Sequence, residues 1–380
     1  MTRYGVMAIV AGLLALAVGR VFGVIELYII GTAFLAAVAL ASLFVLARLP
    51  RVVGARRIRP TTLVAGDPGH VDLHLEHRGV VRSTRFGLHE RIARRRVGER
   101  SADLAVEPMP ANSSSVAGYR LPTQSRGIVE LGPLVAEVRD PLGLISRTRQ
   151  VAGVHQVVVA PRTLTLPMPD LGSGPLGRHL LGQARRLGPG DFHSLREYAD
   201  GDEPRTIHWR ASARTDKLLV KQHTTEGLRR ATIVLDLDEA SYVDGASFER
   251  AVTVAASLVH SADLDGLVTR FVCRPVDLRG PDVVPESLRV LARVDLDGSS
   301  APALDRQPGE GVGLVIVVGG TSDGQAMRAA SEIVDPTLTV VTVTTDETLR
   351  GPISAAARTE AEFLATWGSL VGRQVATRGA

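Results

Sequence analysis

"RATIVLDLD", Arg230–Asp238, decides how the second half of the chain is read. Its run from Ala231 to Leu235 is too short for a helix and too continuously apolar for a strand with one wet face. It reads as a buried strand that ends on acidic residues. Phe248–Asp263 follows with an apolar helical face. The buried-strand pattern then returns in "GLVTRFVCR" (266–274), "GVGLVIVVGG" (311–320) and "LTVVTVTT" (338–345), with helical stretches near Pro285–Val294 and Gln325–Ile333. Apolar strands alternating with helices predict a doubly wound, mostly parallel sheet, a Rossmann-like α/β domain over 228–380. No GxGxxG follows the first strand, so a dinucleotide site is not expected.

Upstream, the period changes. "HVDLHLEH" (70–77) places Val71, Leu73 and Leu75 on one face, and "GIVELGPLVAEV" (127–138) and "HQVVVAP" (155–161) read similarly. Short alternating runs between Gly and Pro predict an all-β, sandwich-like domain over 51–166.

Residues 1–50 differ again. Tyr4–Gly19 and Leu27–Ala47 are apolar and uncharged, separated by Arg20 and Glu26. The second run is long enough to cross about 30 Å of hydrocarbon, and the first reaches it if Arg20 snorkels. A cleaved signal peptide fits poorly, because a longer apolar run follows with no small-residue cleavage site between. The expectation is a helical hairpin. Arg48, Arg51, Arg56, Arg57 and Arg59 follow it and Arg3 precedes it, so positive-inside logic predicts a multi-pass cell-membrane protein with its soluble domains in the cytoplasm.

Composition agrees with this division. The chain has 380 residues, is 45% hydrophobic and has a mean hydropathy of +0.12. Its single cysteine, Cys273, excludes an internal disulfide framework and a multi-thiolate zinc site. The net charge of +4 is uneven: from Leu228 onward, 14 Arg and no Lys face 21 Asp and Glu. The rest of the chain is strongly basic, and "RIARRRVGER" (91–100) is its densest run. Few aromatics interleave with those arginines, so a solvated face near anionic lipid is expected rather than a nucleic-acid platform.

Between the two soluble domains, 167–227 forms a linking segment that contains "GDFHSLREYADGDEPRTIHWRASARTDKLLVKQ", Gly190–Gln222. Gly201 marks a turn, Asp202 can cap a helix, and Pro204 suits an early helical position. Ile207 with Ala211, and Arg205 with Trp209, would share helical faces. "KLLVKQHTTEGLRRATIVLDL" offers two strand-like runs around a Glu226–Gly227 turn.

At Arg196, Glu197, Tyr198, Gly201, Asp202, Arg205, Ile207, Trp209, Ala213 and Arg214 the sequence resembles the bacterial family catalogued as domain of unknown function 58. Upstream, Arg126–Gly127 and Asp140–Pro141–Leu142–Gly143–Leu144 also look like that family. The resemblance implies a membrane-tethered protein with a von Willebrand A-like α/β domain and a MoxR-type AAA+ ATPase as partner. It brings no established activity.

The residue types leave several chemistries open. Arg196, Glu197, Tyr198, Gly201, Asp202, Arg205, Trp209 and Arg214 could form an interdomain ion-pair network or a docking surface, since arginine suits bidentate pairing with carboxylates. Asp191, His193, Ser194, His208 and Ser212 include the types of a hydrolytic triad, but no G-x-S-x-G elbow occurs. The von Willebrand A resemblance implies a Mg²⁺ site of the form D-x-S-x-S after the first strand. Asp236 matches it; Asp238 and Ala240 replace the serines, and Ser241 is one residue out of register. Asp236, Asp238 and Asp323 are therefore weak metal candidates, and no cofactor is expected. The reading that follows is a non-enzymatic scaffold or adaptor on the membrane. A membrane-bound hydrolase using the 191–212 groups is second, and a metal-dependent adhesion module third.

Overall fold

A computed structural model describes residues 1–94, 98–187, 194–197, 207–214, 218–222, 230–296, 313–331, 338–347 and 353–373. The chain divides into two compact units, Met1–Ala160 and Pro161–Ala380.

The first unit begins with helices α1 (Arg3–Phe22) and α2 (Ile25–Arg48), both long and apolar enough to cross a membrane. Gly23 turns the chain between them in the left-handed region, φ 69°. The two helices pack through small residues. A Cβ on Gly31 would lie 2.8 Å from the Gly12 carbonyl, so the backbones approach more closely than any side chain would permit. Gly5, Ala8, Gly12 and Gly19 are buried on α1, and Gly31, Val38, Ala41 and Val45 on α2, at the three-, four- and seven-residue spacings of one helical face.

Nine strands follow: β1 (Val52–Arg59), β2 (Leu63–Val64), β3 (Gly69–His77), β4 (Phe86–Arg94), β5 (Gly98–Val106), β6 (Ser114–Leu121), β7 (Gly127–Arg139), β8 (Ser146–Ala152) and β9 (His155–Ala160). One antiparallel sheet has the order β1-β3-β6. A second has the order β2-β9-β7-β4-β5, with β8 also paired to β7. The alternation expected for 70–77 is observed: Val71, Leu73 and Leu75 are buried on β3, and they share one core with Leu88, Val129 and Leu131 of the second sheet.

The second unit contains α3 (Gly174–Leu187), β10 (Ser194–Glu197), α4 (Trp209–Ser212), β11 (Leu219–Gln222), β12 (Arg230–Leu235), α5 (Gly245–Leu264), β13 (Val268–Cys273), β14 (Val276–Arg279), α6 (Val283–Arg293), β15 (Gly313–Gly319), α7 (Gln325–Ser331), β16 (Leu338–Thr344), β17 (Ser354–Ala356) and α8 (Glu360–Val371). Six strands form a sheet of order β14-β13-β12-β15-β16-β17, parallel except for β14. The "RATIVLDLD" strand is thus interior, with neighbours on both sides, and its continuous apolar run is explained.

The stretch after Ala160 is not a free linker. Leu166, Met168, Leu176 and Leu180 enter the core beneath α5 and α8. Ser257 and Ser261 of α5 accept from the backbone N–H groups of Leu164 and Leu166, both at 2.9 Å, and Trp367 Nε1 donates to the Pro167 carbonyl at 2.9 Å. The apolar residues of "LPMPDLGSGPLG" serve as packing for the α/β unit, which is why this stretch follows the unit's division at 160/161.

Candidate functional site

The motif segment folds locally around a two-stranded sheet. β10 pairs antiparallel with β11, placing Arg196 opposite Val220 and Glu197 opposite Leu219. The strand-like runs expected to flank Glu226–Gly227 do not pair with each other: β11 joins β10, and β12 joins the six-stranded sheet. Sequence adjacency suggested a hairpin, but the apolar β12 is placed by long-range burial instead.

The helix in this segment is also shorter than its pattern suggests. Ile207 is buried in a β-bridge rather than a helix, and α4 begins at Trp209 with His208 as its cap. His208 Nδ1 accepts from the Ala211 N–H at 3.0 Å, and the His208 N–H donates to the Leu219 carbonyl at 2.7 Å. Ser212 Oγ accepts from the Leu219 N–H at 2.8 Å, so both ends of this short helix are tied to β11. These bonds give His208 and Ser212 structural work, and neither is directed at the other as a base–nucleophile pair would be.

Trp209 projects outward. It is 64% exposed, and Arg210 and Arg214 beside it are exposed as well. Tyr198, Gly201, Asp202 and Arg205 lie outside the described residues, as do Asp191 and His193, and the side chains of Arg196 and Glu197 are likewise not described. The candidate surface is therefore carried by Trp209, Arg210 and Arg214 on a pinned turn.

The second candidate is the carboxyl edge of the parallel sheet. Strand order reverses on either side of β12, and ligand crevices of doubly wound sheets open at such a point. Here that point is filled. Asp236 is 1% exposed; its carboxylate accepts from Ser241 Oγ at 2.8 Å and from the Asp238 N–H at 3.1 Å. The residue one step out of register in sequence thus supplies the hydroxyl. The loop after β15 closes over this pair. A Cβ on Gly320 would fall 1.9 Å from the Ser241 carbonyl, and one on Gly324 would fall 2.7 Å from Asp236 Oδ2. Burial pushes the Asp236 carboxyl above its ordinary 3.8, with the nearby Asp238 adding to the rise and the hydrogen bonds opposing it.

The other acidic candidates have different surroundings. Asp238 Oδ1 accepts from the Ala240 N–H at 3.1 Å and caps a short turn, and Asp323 is exposed. Among the described residues, no three of His, Cys, Asp and Glu converge as a metal-binding group. Asp346, after β16, accepts from the Val243 N–H at 3.1 Å and pairs with Arg250 at 3.4 Å. The edge is cross-braced by its own carboxylates.

Two clusters in the first unit escaped the sequence reading. Inside the β core, Arg56 Nε donates to Glu90 Oε1 at 2.5 Å, with Glu90 fully buried. Burial, then the Glu90 carboxylate, push the neighbouring Tyr119 phenol upward. On the outer face of β4, His89 bridges Asp103 (2.6 Å) and Glu137 (3.0 Å) across three strands. Glu90 did carry a signal: in "FGLHERIAR" it shares the phase of the apolar Leu88 and Ile92. A cavity of about 600 Å³ in the first unit lies beside β5 and β6.

The family described as protein of unknown function DUF58 matches residues 194–270, spanning the motif, β12 and α5. No curated protein matches the chain. Among solved structures, the CARDB domain of the PF1109 protein from Pyrococcus furiosus, solved with di-metal ions, is 12% identical; the match covers 30% of this chain and 88% of that one, with a TM-score of 0.22. The putative ApaA protein from Bordetella pertussis is also 12% identical, over 29% of this chain and 93% of that one, at 0.22. The β-glucosidase EmGH1 from Erythrobacter marinus is 10% identical over 29% of this chain and only 15% of its own length, again at 0.22.

Proposed function

We propose, from the match of residues 194–270 to the DUF58 family, that the chain is a membrane-tethered scaffold or adaptor that docks a partner protein on the cytoplasmic side. The partner the family resemblance implies is a MoxR-type AAA+ ATPase. The hairpin supplies the tether, and the arginines that follow α2 support the cytoplasmic orientation. The parallel sheet, with Asp236 at the end of its first strand, supports a von Willebrand A-like reading of the second unit. In this reading the carboxyl edge is braced rather than open to a cation.

Trp209 carries the proposal. A tryptophan at 64% exposure, on a turn held by the His208 and Ser212 hydrogen bonds, is costly to leave in water and well suited to anchor an interface. Arg210 and Arg214 would surround it with charge for acidic groups on the partner. The hydrolase reading has no comparable support, because His208 and Ser212 bond to backbone.

The test is capture of a purified MoxR-type ATPase by the full chain in detergent, with and without Trp209→Ala. The expected result is at least a tenfold loss of affinity, the effect of about 1.4 kcal/mol, with unfolding unchanged. Equal capture by both chains would overturn the assignment of Trp209 as the anchor.

A further inference from the structure

One end of the first unit gathers everything that meets the hairpin. The Thr2 hydroxyl donates to the carbonyls of Gly143 (2.6 Å) and Leu144 (2.8 Å), and the Thr2 N–H donates to Leu144 at 3.2 Å. A Cβ on Gly5 would sit 2.1 Å from the Leu144 carbonyl oxygen, so the β7–β8 loop lies against the first turn of α1. At the close of α2, the Arg78 N–H donates to the Arg51 carbonyl at 2.8 Å, and Val52 pairs with His77. The loop between β3 and β4 therefore starts beside the end of α2. Both loops occupy the end of the β unit from which the two helices depart.

Both loops are built to hold apolar tips outward. In the first, buried Asp140 accepts from the Leu142 N–H at 2.8 Å and the Ile145 N–H at 2.5 Å, and leaves Leu142 67% exposed. In the second, His77, 2% exposed, bonds through Nε2 to the Val81 carbonyl at 2.9 Å and leaves Val80 and Val81 83% and 66% exposed. Arg51, Arg78, Arg82, Arg139 and Arg147 are exposed around them. Aliphatic tips within a ring of arginines match a bilayer interface, with acyl chains below and phosphates at the rim.

The geometry points to a second membrane contact: the 78–82 and 140–145 loops rest in the lipid headgroup layer, with Val80, Val81 and Leu142 inserted at the acyl boundary. This rests on the reading of α1 and α2 as membrane-spanning. The contact fixes the β unit against the bilayer instead of leaving it to swing on the hairpin.

Single cysteines at Val81, Leu142, Leu14 and Val154 provide the test, each in the full chain, carrying an environment-sensitive fluorophore and reconstituted in phosphatidylglycerol-containing vesicles. Cys273, 1% exposed, stays in place if the parent chain takes up no label, and is otherwise replaced by Ala. Leu14 lies mid-way along α1. Val154 is 59% exposed in the β8–β9 turn, at the opposite end of β8 from Leu142. Lipids with a quencher near the headgroup should abolish most emission from Val81→Cys and Leu142→Cys and spare Val154→Cys. A mid-chain quencher should act on Leu14→Cys. If Leu14→Cys is quenched but Val81→Cys and Leu142→Cys behave like Val154→Cys, the second contact is wrong and the hairpin stands. If Leu14→Cys escapes as well, both readings fall.

Discussion

Glu90 shows what one side chain can demand of a core. Its carboxylate is fully buried and has Arg56 as its charged partner, so removing it strands a guanidinium inside the first unit. Glu90→Ala should cost about 3–5 kcal/mol in denaturant unfolding, whereas Arg56→Met combined with Glu90→Leu should recover much of that loss. Asp236 makes a different prediction. Its carboxyl titrates above 3.8 in the folded chain, so the folded state keeps a proton that the unfolded state has lost. Stability from this group is therefore fully present below 3.8 and declines as pH rises through the folded value. Asp236→Asn should flatten that slope in unfolding measured from pH 3.5 upward; an unchanged slope would assign it to other groups. The position of Asp236 at a strand end was legible in sequence because an apolar run stops there. Ser241 stood out in sequence as one residue out of register, but the closure by Gly320 and Gly324 was not legible, since it depends on a loop about 85 residues downstream.

Elements were legible where burial is uniform along them. α1, α2 and the parallel strands declare themselves by composition, because they are apolar along their whole length. The β10–β11 pairing and the four-residue α4 did not, because short polar elements are fixed by individual bonds such as His208 Nδ1 to the Ala211 N–H. The hairpin allows a direct test of element packing. Gly31→Leu would place a side chain where Gly12 and Leu16 leave less than 3 Å, which forces the helices apart at a cost of about 1–3 kcal/mol. Its expected signature is a lower melting temperature in detergent, together with weaker cross-linking between cysteines on α1 and α2. Gly324→Ala should likewise lower the melting temperature, since its Cβ would press on Asp236 Oδ2.

At the scale of the whole molecule, the chain forms two units with separate cores, the first of which opens with the helical hairpin. A reporter fused after Ala380 should be active only if it works in the cytosol; activity of a periplasm-dependent reporter there would reverse the topology. One bond at this scale also bears on how the chain is made. The Thr2 hydroxyl cannot meet the Leu144 carbonyl until 142 further residues have been synthesised. At about 5–20 residues per second that is a wait of roughly seven to thirty seconds. During it, α1 must keep its place without this latch, and completion of the β7–β8 turn is the event that ties Thr2 down.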